Sequence, residues 1–152
     1  MKKDINFLLQ AAIVSQRSTC ARRKVGCVIV NKTGLIMSTG FNGVPRYQVH
    51  CTDTPCEGAC SPSGTDLDLC LAIHAEQNAL MQCRDIMNIG TVYITHSPCM
   101  HCAKMLANTS VKGIYYTEEY AHTEAIKFLK SCQISISHIE ESMIQQEVDN
   151  AV

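Results

Sequence analysis

The sequence predicts a three-layer α/β fold, in which a central mixed sheet of about five strands is covered by helices on both faces. Two observations predict it. Segments whose apolar residues recur at helical spacing alternate along the chain with short strand-like segments. The 152 residues, 46% apolar and 18% charged, suffice for one buried core and no more, so 1–152 is expected to be a single domain.

The elements follow in order. Ile5, Leu8, Leu9, Ala12 and Ile13 share one helical face, and Asp4 is placed to cap its start. Residues 25–30 (VGCVIV) are apolar on both faces; the turn NKTG follows, then a second strand over 35–39, a hairpin expected inside the sheet. From Gly40 to Asp68 the composition shifts to Gly, Pro, Ser, Thr, Asp and Cys, giving a cysteine-rich insertion over 41–70 that is too long to stay ordered without a tether. Helical character returns over 72–83. A strand is expected over 91–95, a helix over 99–108, a strand over 114–117, a helix over 123–130 capped by Thr123, and an alternating strand over 134–139 (ISISHI). Strands interleaved with helices make the later half of the sheet parallel. Residues 140–152 are expected to be a short helix or a frayed tail.

Charge narrows the function classes. Thirteen Lys and Arg against 14 Asp and Glu leave a net charge of −1, which gives no general attraction to long nucleic acid. No run approaches the roughly 20 apolar residues of a membrane span, and FLLQAAIV lacks the features of a leader. A cytoplasmic protein is expected, in the host cytoplasm if the source is viral. In that setting the ten cysteines point to metal ligands or buried thiols rather than to disulfides.

Two short words carry chemistry: His74-Ala75-Glu76, and Pro98-Cys99-Met100-His101-Cys102. Together they form HxE and PCxxC, an established signature of zinc nucleobase deaminases. One imidazole and two thiolates supply the three protein ligands of a catalytic zinc and leave a position for water. Cys99 and Cys102, three apart, lie on one face of a helix, and Pro98 suits its beginning. The positive end of that helix favours thiolates. His74 and Glu76 are two apart and address one ion only from a first turn, so helix entry near Ile73 is required. Glu76 is then an unligated carboxylate placed to move a proton. Three plainer readings stand beside this one: a redox CxxC, a structural zinc site closed by a fourth ligand, and a helical histidine with two core cysteines and no metal.

From the first helix to about His138 the chain resembles the deoxycytidylate (dCMP) deaminases of the cytidine deaminase superfamily, through RSTCARRKVGCVIV, GFNG, IHAEQNAL, THSPCMHCAKML and the EEY after the fourth strand. The resemblance implies a cytidine-deaminase-like fold. It further implies that His74, Cys99 and Cys102 hold Zn²⁺, that water attacks carbon 4 of cytosine, and that Glu76 shuttles protons as ammonia leaves. Asn42 is implied to reach the sugar, with Ala75 and Tyr120 also at the nucleotide; for Asn42 a plain Asn-Gly turn explains the residue equally well. Phe41, Asn42 and Gly43 resemble a loop used by allosteric nucleotides. Members acting on dCMP are oligomers, often hexamers, activated by dCTP with Mg²⁺ and inhibited by dTTP, and supply dUMP for thymidylate synthesis. Alternatives are another deaminase of the superfamily, acting on a free nucleoside or on a base in a polynucleotide, and a non-catalytic zinc-stabilised binding module. Near-neutral charge and few aromatics count against a single-strand channel.

The insertion holds further ligand types. A second, structural zinc on Cys20, Cys51, Cys56 and Cys70, with Cys60 and His50 as substitutes, would tether it; plain reduced thiols are the alternative. The resemblance supports Cys20 and Cys51 in particular. Arg22, Arg23 and Lys24 form a compact basic cluster that either faces a phosphate or is solvated surface. Cys27, Cys83 and Cys132 are expected in the core, and Met81, Met87 and Met105 in packing. His96, His101, His122 and His138 complete no motif.

Overall fold

The computed structural model describes residues 2–62, 64–120 and 123–150, the side chain of Leu67 excepted. The helices are α1 (Lys3–Ser15), α2 (Ala75–Gln82), α3 (Met100–Ala107), α4 (Glu124–Ser131) and α5 (Glu141–Asp149); the strands are β1 (Gly26–Asn31), β2 (Ile36–Phe41), β3 (Ile89–His96), β4 (Gly113–Glu118) and β5 (Ser135–His138). The sheet order is β2-β1-β3-β4-β5. Strand β1 runs antiparallel to β2 and β3, and β3, β4 and β5 run parallel. The mixed sheet with a parallel later half is the architecture expected from the sequence.

Period-two alternation divides the core into two layers. Cys27 and Ile29 of β1, Val92 and Ile94 of β3 and Ile114 of β4 pack against Ala75 and Ala79 of α2, Leu106 of α3 and Leu129 of α4. The intervening Val28, Val30 and Tyr93 pack on the other face against Phe7, Leu8 and Ala11 of α1, with Ile144 of α5 at the margin. Strand β2 is an edge of the sheet, not an interior strand. Its outward carbonyls at Thr39 and Phe41 accept hydrogen bonds from Gln82 Nε2 (3.1 Å) and Asn78 Nδ2 (2.8 Å) of α2, which blunts the edge. Gly40 makes this close packing possible, because a Cβ there would run into the Ala75 carbonyl and the Ala79 backbone nitrogen.

Several local expectations are corrected. Asp4 lies inside the first turn of α1 and does not cap it; its carboxylate accepts from Tyr93 Oη at 2.6 Å, a tertiary bond that takes the place of the cap. Thr123 precedes α4 without a side-chain cap bond. Cys132 is exposed just after α4, whereas Cys27 and Cys83 are buried. Met81, Met87 and Met105 are exposed, at 65%, 61% and 40%, so they are surface and not packing. The insertion contains two short 3₁₀ turns, Glu57–Cys60 and Leu67–Leu69.

Candidate active site

The carboxyl ends of parallel strands and the starts of the helices that follow them form the usual ligand crevice of an α/β sheet, and the predicted groups meet there. His74 is the N-cap residue of α2. Two interactions set its approach: Gly43 and Ile73 pair as an isolated antiparallel bridge, with N···O distances of 3.1 and 2.8 Å, and Gln77 Oε1 accepts from the His74 backbone N–H at 2.9 Å. Thus GFNG, read in the sequence as a turn or nucleotide loop, also braces the histidine. Cys99 is the N-cap of α3, with Cys102 one turn on.

His74 Nδ1 lies 3.4 Å from Cys99 Sγ and 3.4 Å from Cys102 Sγ. Among the described residues this is the one set of three or more His, Cys, Asp or Glu side chains whose ligand atoms all lie within 4.8 Å of one another. Both cysteines are buried. The hydrogen bond with Cys102, and then the one with His74, brings the Cys99 thiol down to about 4 against its burial, while pairing with Cys99 and burial push the Cys102 thiol up. A pair already poised to carry one thiolate, with an imidazole beside it raised chiefly by its bond to Cys99, fits a soft, borderline divalent cation such as zinc.

Glu76 stands in the first turn of α2, 4% exposed. Burial is the main cause that raises its carboxyl to about 7, against the opposing pull of His74. The Cys102 thiol hydrogen-bonds to it. A buried carboxyl near neutrality beside a metal-ligand set is suited to taking up and giving back a proton.

His74, Glu76 and Cys99 line a cleft of about 590 Å³, counted with its open mouth, together with Asn42, Ala75, Tyr120, Arg22, Arg23 and His96. Asn42 is buried and its amide is engaged, Oδ1 accepting from Val25 N (2.8 Å) and Nδ2 donating to the Arg23 carbonyl (2.9 Å). It therefore shapes the strand entry that carries the arginines. Arg22 donates to the Pro62 and Thr65 carbonyls of the insertion. The Arg23 guanidinium lies 5.1 Å from the centroid of the Tyr120 ring. Lys24 faces away and bonds Gln16 Oε1 at 3.3 Å, so the basic cluster splits, two members in the cleft and one in solvent.

Of the second set, Cys51 Sγ lies 3.6 Å from Cys56 Sγ, and the Cys56 backbone N donates to Cys51 Sγ at 3.5 Å. Hydrogen bonds from the Leu71 backbone and then from Cys51 and Cys70 lower the Cys56 thiol, and Cys70 is raised mainly by burial, with Cys20 and Cys56 nearby. Cys60 and His50 are exposed. His122 lies outside the described residues. His96 and Ser97, which line the cleft, carry no readable signal beyond their place three and two residues before Cys99.

A half-buried imidazole and a buried thiol pair at the helix starts of a mixed α/β sheet, with a buried carboxyl beside them, mark the metal-dependent deaminase class. Residues 1–118 match the model of the cytidine and deoxycytidylate deaminase zinc-binding region, and the chain belongs to that family. It is 34% identical over 136 residues to the deoxycytidylate deaminase of Saccharomyces cerevisiae, covering 88% of this chain and 43% of that one. It is 36% identical over 122 residues to that of Mycobacterium phage D29, covering 76% and 94%. The chain spans less than half the length of the fungal relatives it matches. The dCMP deaminase of cyanophage S-TIM5, solved with dCMP and dUMP, superposes with a TM-score of 0.71 at 31% identity, over 91% of this chain and 99% of that one.

Proposed function

We propose that this chain hydrolyses dCMP to dUMP and ammonia. The observation that carries the reading is the meeting of His74, Cys99 and Cys102 with the buried Glu76 beside a cleft that Arg22 and Arg23 also line. Zinc, held by the three side chains, supplies the Lewis acid that makes water a nucleophile at neutral pH. Glu76 takes one proton from the attacking water and delivers it to the ring nitrogen, then takes the second from the new hydroxyl on carbon 4 and delivers it to the amino group, which leaves as ammonia as the carbonyl forms. His74 and the two cysteines fix the metal at the helix starts. Ala75, between ligand and acid, brings backbone against the pyrimidine. Tyr120 covers the nucleotide, and Asn42 places the sugar through the segment it braces. The two arginines that line the cleft are suited to a single phosphate, which favours a nucleotide over a nucleoside.

The finer reading has several parts. Cys20, Cys51, Cys56 and Cys70 hold a second, structural zinc; contact among three of the thiols supports it. Phe41, Asn42 and Gly43 take part in binding dCTP with Mg²⁺, which activates, and dTTP, which inhibits. The chain works as a homo-oligomer, a hexamer by resemblance, in the cytoplasm of the cell or of a host, and its product feeds thymidylate synthesis. No helix among the described residues is long and apolar enough to cross a membrane.

The test is incubation of the purified protein with cytidine, deoxycytidine, CMP and dCMP, with and without dCTP, following conversion by absorbance. Turnover confined largely to dCMP, sigmoidal and stimulated by dCTP, is expected. Turnover of deoxycytidine in preference to dCMP overturns the substrate; release of no ammonia from any of them overturns the activity.

A further inference from the structure

The end of β3 carries a hydrogen-bonded relay that has no role in the chemistry above. Thr95 Oγ1 accepts from Gly26 N at 3.2 Å, so its single proton is left for His96 Nδ1, 3.1 Å away. With Nδ1 accepting, Nε2 carries the ring proton and donates to Glu118 Oε2 at 3.1 Å. Burial, which lowers the His96 pKa, and the neighbouring Arg23 favour the same neutral imidazole; the Glu118 charge opposes them. Strands β1 and β3 thus aim a neutral ring at the carboxylate that ends β4.

The same junction is stitched along the backbone. Ser97 N donates to the Glu118 carbonyl at 2.8 Å, and Ser97 Oγ accepts from Tyr120 N at 2.7 Å. Thr117 Oγ1 donates to the Thr95 carbonyl at 2.7 Å. Tyr120, two residues past Glu118, then presents its ring at the cleft beneath Arg23.

We propose that His96 is a positioning residue: its bond to Glu118 fixes the turn over 118–120, and so holds Tyr120, with Arg23 stacked on it, against the bound nucleotide. The inference rests on the dCMP deaminase reading. His96 acts in it through Glu118 and touches no reacting atom. Ser97 sets the path of the turn, and the side-chain tie resists its rotation away from the cleft. Glu118 is 54% exposed, so the tie is weak and its loss shows in binding rather than in folding.

Steady-state kinetics on dCMP with parallel zinc analysis, for wild type, H96L, H96Q, E118A and H96L/E118A, test it. H96L and E118A are expected to raise KM about two- to fivefold, the size of a partly exposed charged hydrogen bond, with kcat and zinc content unchanged. H96Q, which keeps a donor, is expected near wild type, and the double variant no worse than either single one. Unchanged KM in H96L and E118A, independent multiplying effects in the double variant, or joint loss of kcat and zinc in H96L overturns the proposal while wild-type activity stands. A wild-type protein inert on dCMP overturns the functional reading, and the proposal with it.

Discussion

His74 Nδ1 and Cys99 Sγ, 25 residues apart in the chain, lie 3.4 Å from each other, and neither belongs to the body of a helix. Each is an N-cap, so the two helix starts α2 and α3 bring the ligands together. In the proposed reading these three side chains hold the ion, and removing one opens the set. C102A is expected to lose one equivalent of zinc relative to wild type, read by metal analysis, and with it all deamination. Retention of a full equivalent of zinc together with activity in C102A would exclude Cys102 as a ligand.

Glu76 is buried beside the ligands without completing their set. E76Q and E76A are expected to keep zinc and to lower kcat by about 10²- to 10⁴-fold, the usual contribution of a positioned proton carrier. Substrate affinity should change much less. A variant with near-normal turnover would remove the carboxylate from the mechanism.

The layer order and the ligand set were legible in the sequence because both rest on local patterns. VGCVIV reads as a two-face-buried strand wherever it is placed, and HxE with PCxxC constrains helix starts before any tertiary contact is known. What could not be read depends on pairing across the chain. The edge position of β2 follows from which strand β1 pairs with on its other side, and nothing within 36–41 records that. The capping role expected for Asp4 is displaced by Tyr93, 89 residues away. The split of the basic cluster comes from Asn42 gripping the backbone at Arg23 and Val25, and the roles of His96 and Ser97 come from the β3–β4 register.

Cys51, Cys56 and Cys70 are close enough for their thiols to interact, yet they do not form a compact set of the kind seen at His74. If they hold a structural ion with Cys20, metal analysis of wild type is expected to give two zinc per chain, and C56S one. C56S should also destabilise the insertion, seen as faster proteolysis within 41–70. One zinc per chain in pure wild type would end the second site.

Tyr93 is buried between Phe7 and Tyr115, and its hydroxyl is spent on Asp4. Burial first, then that bond, raises its phenol above the ordinary value. A phenol harder to ionise in the folded state contributes stability that is intact below the unfolded pKa of about 10 and is lost as pH rises past it. Y93F is expected to be less stable at pH 7 by about 1 kcal/mol. It should also lose less stability than wild type between pH 9 and 11, by denaturant titration. Parallel alkaline curves for the two proteins would show that Tyr93 does not carry this dependence.

Gly40 is where the fold and the site are joined most tightly. It lies on the edge strand, yet its α-carbon faces the Ala75 carbonyl and the Ala79 nitrogen of α2, and any side chain there must push the helix outward. Helix α2 is capped by His74 and carries Glu76, so an outward shift moves the proposed metal ligand and the proposed proton carrier together. Backbone atoms cannot yield as a flexible side chain would. G40A is therefore expected to cost more than about 3 kcal/mol, above the usual range for an overpacked core, and to lose zinc even though it touches no ligand. Zinc content and thermal melting separate this from a local surface effect. If G40A melts as wild type does and keeps a full complement of zinc, the close approach of β2 to α2 does not set the position of His74.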